Sequence, residues 1–258
     1  MRLLSLRSAA AAMLAAGALS MAGMAAAQER ECPVPETFFT FEPALPKTAR
    51  ALAEGREAVI VALGGASTLG RAAGAAERSW PARMAAALAA RFPSARIKMV
   101  NLGVPRQTAK EAAARLERDV LPLKPVLVIW ETGTMEAVRG IDIDDFQETL
   151  QTGIDDLLSA GIEVVLMNMQ FSRRTHAMIN FAPYLIALRE VADVNDVAVF
   201  RRHGIMRHWA ETGALDLGVS GKEERRKLAV KLYDCIGRAA AEFIARKPQP
   251  ESRSESRP

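Results

Sequence analysis

The sequence predicts an α/β protein built on a parallel β-sheet covered by helices on both faces. Short apolar, β-rich runs alternate along the chain with amphipathic helical stretches. The runs are too apolar to have one face in water, as expected of strands buried on both sides. Half of the 258 residues are hydrophobic and a quarter are charged, which suits one globular domain of ordinary size.

The elements follow in order. Val59–Leu63 is a strand, and Trp80–Phe92 a helix opened by Pro81. Ile97–Asn101 is a second strand. A helix follows over Thr108–Val120, where Ala112, Leu116 and Val120 share a face. Val126–Trp130 is a third strand. Phe146–Ala160 is helical and stops at Gly161, a residue suited to a left-handed C-cap. Val164–Asn168 is a fourth strand, Tyr184–Val194 a helix, Val197–Phe200 a fifth strand, and Lys222–Arg246 a long closing helix.

The first residues do not belong to this domain. Arg2 and Arg7 make a basic start, Ala9 to Met24 an apolar run, and Ala25 to Ala27 a small-residue stretch. That pattern is a secretory signal cut after Ala27. A membrane anchor is the alternative, but the run is short of the ~20 apolar residues a span needs and no basic stop follows it. The segments expected are therefore 1–27, a signal peptide; 28–57, an N-terminal arm; 58–246, the α/β domain; and 247–258, a disordered tail of Pro, Ser, Glu and Arg.

Export governs how Cys32 and Cys235 read. In an oxidising compartment a lone pair is most simply a disulfide, here tying the arm to the last helix. The alternative, a reactive free thiol, has no His or motif beside it. The net charge of +4 includes the two signal arginines, and the basic residues are scattered with few aromatics. This excludes a nucleic-acid groove. No His/Cys/Asp/Glu cluster has metal-ligand spacing, so neither metal nor cofactor is expected.

In parallel sheets ligands bind where the strands end. Four such loops are visible: Gly64–Gly70, Asn101–Gln107, Glu131–Arg139 and Asn168–Arg174. The first imitates a P-loop between Gly65 and Gly70, but Arg71 and Ala72 stand where Lys and Ser or Thr would hold phosphate and Mg²⁺. The dinucleotide glycine spacing is absent as well. A nucleotide site is not expected.

The order of these loops resembles the SGNH (GDSL) hydrolase family, over roughly Val59 to Ile244. "ALGGASTLG" fills the place of a first block like "ALGDSLTAG". "VNLGVPRQTA" supplies the block-two glycine, and "VIWETGTMEA" resembles "VIWQVGTND". "SWPARM", "LERDVLPLKP", "VVLMNMQ" and "FRRHGIMRHW" resemble a bacterial secreted branch. The resemblance implies a three-layer α/β/α, flavodoxin-like sheet and acyl-ester hydrolysis.

It also implies where the catalytic groups should stand. The nucleophile position falls on Ala66, the block-three asparagine on Met135 and the last-block histidine on Val219. Gly103 keeps the place of an oxyanion-stabilising backbone N–H, and Asp216 the place of the family's aspartate. Alanine has no nucleophilic atom, valine takes no proton and methionine offers no N–H. The chain therefore reads as an inactive descendant, a binding or accessory protein of the envelope. Its partner would be an acylated small molecule or glycan, or an envelope protein.

The rival reading is an esterase or deacetylase with Ser67 as a displaced nucleophile. His176, His203 and His208 are the available bases. Of these His176 lies nearest the expected ligand side, whereas His208 reads as a packing or surface residue. The strand-end cleft would be lined by Ala66, Ser67, Gly103, Thr134, Met135, Glu136 and Gln170. Ala66 and Met135 make it more apolar than its relatives. Glu136 is either a new charge there or an exposed loop residue. Arg106, Arg173 and Arg174 could ring the cleft or simply be solvated.

Overall fold

The computed structural model describes residues 32–39 and 44–246. The signal segment, its cut after Ala27 and the tail 247–258 lie outside them. Five parallel strands form one sheet in the order β2-β1-β3-β4-β5. They are β1 (Glu57–Gly64), β2 (Arg96–Gly103), β3 (Leu127–Glu131), β4 (Glu163–Met167) and β5 (Ala198–Phe200). All five expected strands are present, with their ends shifted by a residue or two.

Alternate residues of each strand feed opposite layers. Ile60, Ala62, Ile129, Val165 and Phe200 face one core. Val61, Leu63, Val128, Trp130 and Leu166 face the other. The first core is closed by α3 (Trp80–Arg91), through Trp80, Met84 and Leu88, and by α10 (Lys222–Ala245), through Leu232, Ile236 and Phe243. The second is closed by α6 (Ile143–Ser159), through Phe146, Leu150 and Ile154, and by α8 (Ala182–Val194), through Leu188 and Val191. Every strand except the edge strand β2 is thus buried on both faces, as its apolar sequence requires. The chain has the three-layer α/β/α architecture.

Other helices were not legible. In the arm, α1 (Pro46–Ala53) takes its N-terminal partner from distant sequence. The buried Glu163 carboxylate accepts from the Lys47 and Thr48 N–H groups at 2.6 and 2.9 Å and from the Thr48 hydroxyl at 2.6 Å. This satisfies donors that a helix start otherwise leaves open. Short helices α2 (Ala66–Leu69), α5 (Thr134–Arg139) and α7 (Arg173–Met178) follow β1, β3 and β4, and α9 (Arg202–Thr212) follows β5.

The helix expected over Thr108–Val120 is broken. A capping box between Thr108 and Glu111 starts α4 (Ala109–Ala113) well. The chain then widens into a single π turn at Leu116–Val120. At the break, the Arg115 guanidinium turns back to the Leu102 carbonyl and to Gln107.

Cys32 and Cys235 form a disulfide with their Cα atoms 6.0 Å apart, joining the arm to α10. Among the described residues no helix is long and apolar enough to cross a membrane.

Candidate functional site

The sheet register lines up Leu63 with Trp130, Glu131 with Met167, and Met167 with Phe200. The residues just after these strands therefore sit side by side along one edge. Between β1 and β3 the chain order reverses, since β2 lies on the other side of β1. That is where a doubly wound sheet opens a crevice.

A buried polar network fills this place. The Ser67 hydroxyl, on α2, donates to Glu131 Oε1 at 2.6 Å. The Thr68 hydroxyl donates to Glu131 Oε2. Arg202, at the start of α9, donates from Nη1 to Ser67 Oγ at 3.0 Å and from Nη2 to Glu131 Oε1 at 2.9 Å. Its Nε reaches the Asn168 carbonyl at 3.1 Å, and the Asn168 side chain accepts from the His203 N–H at 2.8 Å. Ser67 and Glu131 are each 8 % exposed and Arg202 2 %.

Electrostatics fix the protonation states. Burial works against charge on Glu131. The Arg202 guanidinium and the Ser67 and Thr68 hydroxyls outweigh it and hold the carboxyl below its usual range. Such a carboxylate is a poor proton acceptor. The Ser67 hydroxyl thus lies between a carboxylate and a guanidinium.

His203 is buried against Phe171, with ring centroids 5.3 Å apart, and lies 5.8 Å from the His176 ring. Its Nε2 is buried without a partner. Burial, then the electrostatic influence of the neighbouring His176, Arg207 and Arg202, lowers its pKa to about 4. The folded state therefore favours the neutral imidazole. His203 stabilises fully above its unfolded value near 6.5 and progressively less as pH falls toward 4. Replacing it with Phe is expected to flatten the part of the stability profile between pH 6.5 and 4. Urea titrations at half-unit pH intervals test this, and an unchanged slope in His203→Phe would refute it.

The model of the Non-GDSL lipase-like family matches residues 31–249. The chain belongs to this family. Solved structures share the fold at low identity. An Axe2 variant, an acetyl-xylooligosaccharide esterase from Geobacillus Stearmophilus, superposes with a TM-score of 0.60 at 18% identity, covering 74% of this chain and 95% of its own. The psychrotrophic esterase EstA from Pseudoalteromonas sp. gives 0.53 at 17%, covering 70% and 98%. A two-domain esterase active on acetylated mannans gives 0.60 at 17%, covering 81% of this chain and 56% of its own. No curated protein matches the chain. This member of the Non-GDSL lipase-like family thus carries an SGNH/GDSL-type hydrolase fold.

Ala66 is the first residue of α2 and is half-buried, one position before the engaged Ser67. Gly103 ends β2, and its N–H donates to the Asn101 side chain at 3.0 Å. Glycine is needed there because a Cβ would come within 2.4 Å of the Leu69 nitrogen and 2.9 Å of the Gly65 carbonyl. Thr134 and Met135 are half-buried at the start of α5, and Gln170 is exposed after β4.

Glu136 is not the exposed loop residue of one earlier reading. It is buried, and its oxygens accept from the Ala109 and Gly133 N–H groups at 2.5 and 3.0 Å. Burial, outweighing these bonds, raises its pKa. It ties α4 to α5. Asp216 is exposed in the loop before α10, where its carboxylate accepts from the Gly218 N–H at 2.8 Å. Val219 next to it is half-buried.

The three histidines separate cleanly. His208 packs against Phe38 at 6.0 Å, as a packing residue would. His176 is exposed, and no imidazole hydrogen bonds to Ser67, whose partners are Glu131 and Arg202. Of the loop arginines, Arg173 donates to the Ala210 carbonyl at 3.0 Å, and Arg106 and Arg174 are exposed.

Glu131, Asn168 and Arg202 were missed as site residues. A signal existed in Glu131, which closes an apolar strand, and in Arg201-Arg202, which follow another. Opposite charges at neighbouring strand ends can pair when the strand order brings them together.

Leu69, Val104, Val138 and Met178 are exposed large hydrophobics, one after each of the first four strands. A separate groove of about 370 Å³ lies between α6 and α8, lined by Ile143, Pro183 and Ile186 among others, and shares no residue with the strand-end site.

Proposed function

We propose that this chain is an exported, non-hydrolysing protein that uses the hydrolase fold to bind an acylated glycan at the cell envelope. The observation that carries the reading is the state of the strand-end edge. Alanine occupies the nucleophile position, and the neighbouring Ser67 hydroxyl is engaged at once by Glu131 and Arg202. Hydrolysis needs a hydroxyl, a base within reach and free oxyanion donors. Here the adjacent carboxylate is a weakened base, and the Gly103 N–H is taken by Asn101.

Binding is supported by the exposed apolar side chains of Leu69, Val104, Val138 and Met178, which follow the first four strands in the chain. Exposed apolar side chains near a crevice favour an acyl group over a polar anion. A glycan carrier for the acyl group agrees with the acetylated-sugar esterases that share the fold. Export is supported by the disulfide, which forms and persists in oxidising compartments, and by the signal-like N-terminus of the sequence.

Fluorophosphonate labelling, with p-nitrophenyl acetate turnover alongside, tests the absence of hydrolysis. The expected result is neither label nor turnover in the wild type. Labelling that disappears in Ser67→Ala would make Ser67 the nucleophile and sink the proposal. Calorimetric titration with acetylated and deacetylated xylo-oligosaccharides tests the ligand. Heat with the acetylated form alone is expected, and equal or absent heat for both would reject an acylated glycan.

A further inference from the structure

Residues 32–39 of the arm form a strap across α9 and α10. At one end Cys32 is bonded to Cys235 of α10. The Pro33 carbonyl accepts from the Trp209 indole N–H at 2.8 Å, and the Thr37 carbonyl accepts from Arg201. Glu36 pairs with Arg246, whose guanidinium also lies 4.3 Å from the Phe39 ring centroid.

Phe38 is the contact that matters for the site. It sits under the Arg201 guanidinium at 5.5 Å and beside His208 at 6.0 Å. Gly204 gives it room, since a Cβ there would come within 2.7 Å of the Phe38 ring. Positions 201, 204 and 208 lie on one face of α9, at helical spacing. From the same first turn, Arg202 and His203 reach the strand ends. The strap therefore holds the outer side of the turn whose inner side completes the buried network.

We infer that the Cys32–Cys235 bond is a redox latch on the strand-end site: forming it seats the strap on α9 and thereby fixes Arg202 and His203. The latch holds whether or not the cleft hydrolyses anything. In the reduced protein the strap loses its covalent anchor and keeps its hydrogen bonds, the Glu36–Arg246 pair and the packing of Val34, Phe38 and Phe39, and each exposed ionic contact contributes little.

Closing the latch removes two electrons and two protons from the thiol pair. A disulfide oxidant takes both. One cysteine first forms a mixed disulfide with the oxidant, releasing one of its thiols. The thiolate of the other cysteine then attacks, the new Sγ–Sγ bond forms, and the second thiol of the oxidant leaves. Arg238 is the positioning residue for this step. Its Nη2 lies 3.3 Å from Cys32 Sγ and 3.8 Å from Cys235 Sγ, where the charge of either thiolate forms. Its Nε is held by Asp234 at 3.0 Å, which also pairs with Arg83, and the Nη2 end that faces the sulfurs favours the thiolate, which is the attacking species.

Backbone amide order parameters of the oxidised and dithiothreitol-reduced protein test the coupling. On reduction, values for 32–39 and 202–204 are expected to fall from about 0.85 to below about 0.6, with β3 unchanged. Phe38→Ala, with the disulfide intact, should loosen 202–204 in the same way. The latch is overturned if 202–204 stay rigid in either sample, or if β3 loosens equally. For Arg238→Gln, oxidation of the reduced protein by oxidised glutathione should slow several-fold at pH 7, and the difference should vanish near pH 10. Equal rates at pH 7, or a deficit that persists at pH 10, would remove Arg238 from the step.

Discussion

Replacing Arg202 with methionine is expected to lower the free energy of unfolding by about 3–5 kcal/mol, a typical cost of breaking a buried ion pair from one side. The cause is what is left behind. Glu131 is buried among Ser67, Thr68 and the ends of β1 and β3, and the guanidinium is the charge that compensates its desolvation. Methionine fills much of the same volume, so the loss reports charge rather than packing. The double variant Arg202→Met/Glu131→Gln should recover most of the loss, because neither partner is then a buried charge and the amide oxygen still accepts from one hydroxyl. Urea unfolding of both variants decides the matter, and a double variant as unstable as the single one would reject the explanation.

The pH dependence has a definite sign. The Glu131 pKa is lower in the folded protein than in the unfolded chain, so its stabilisation is full above the unfolded value of about 4.5 and is lost as pH falls through the folded one. The Arg202→Met variant should lack this acid limb. The His203 limb, between pH 6.5 and 4, should remain in it.

What was legible in the sequence follows the physics of each signal. The five strands were readable because a strand buried on both faces must be apolar at every position, and such runs stand out locally. So were α3, α6, α8 and α10, whose apolar faces recur at helical spacing. The arm helix α1 was not, because its N-terminal donors are satisfied by Glu163, whose side chain comes from the start of β4. The break after α4 depends on Arg115 finding the Leu102 carbonyl, again a tertiary contact.

The site divides in the same way. Ala66, Met135 and Val219 were assigned to family positions by the blocks around them in the chain. The use made of Ser67, Gly103 and Glu136 could not, since it depends on Glu131, Arg202, Asn101 and the backbone of Ala109. A residue type announces what chemistry is possible, whereas the partner decides whether the group is free to perform it. Ser67 and Gly103 illustrate the difference, each having a competent group that a neighbour already holds.

Cutting the Cys32–Cys235 bond should lower global stability by about 2–5 kcal/mol. The two cysteines are 203 residues apart in sequence, and for a closed loop of that size the chain-entropy model gives about 5 kcal/mol. The lower end of the range applies where the reduced unfolded chain keeps residual structure. The comparison is a urea titration of the oxidised protein against the Cys32→Ser/Cys235→Ser variant. If the bond acts by restricting the unfolded chain, that chain becomes more expanded without it. The slope of unfolding free energy against urea should then rise in the variant while the midpoint falls, because the slope scales with surface exposed on unfolding. A lower midpoint with an unchanged slope would put the effect in the native protein instead, through the seating of the strap on α9. A midpoint within error of the oxidised protein would reject both, leaving Glu36, Thr37 and Phe38 as sufficient to hold the strap by themselves.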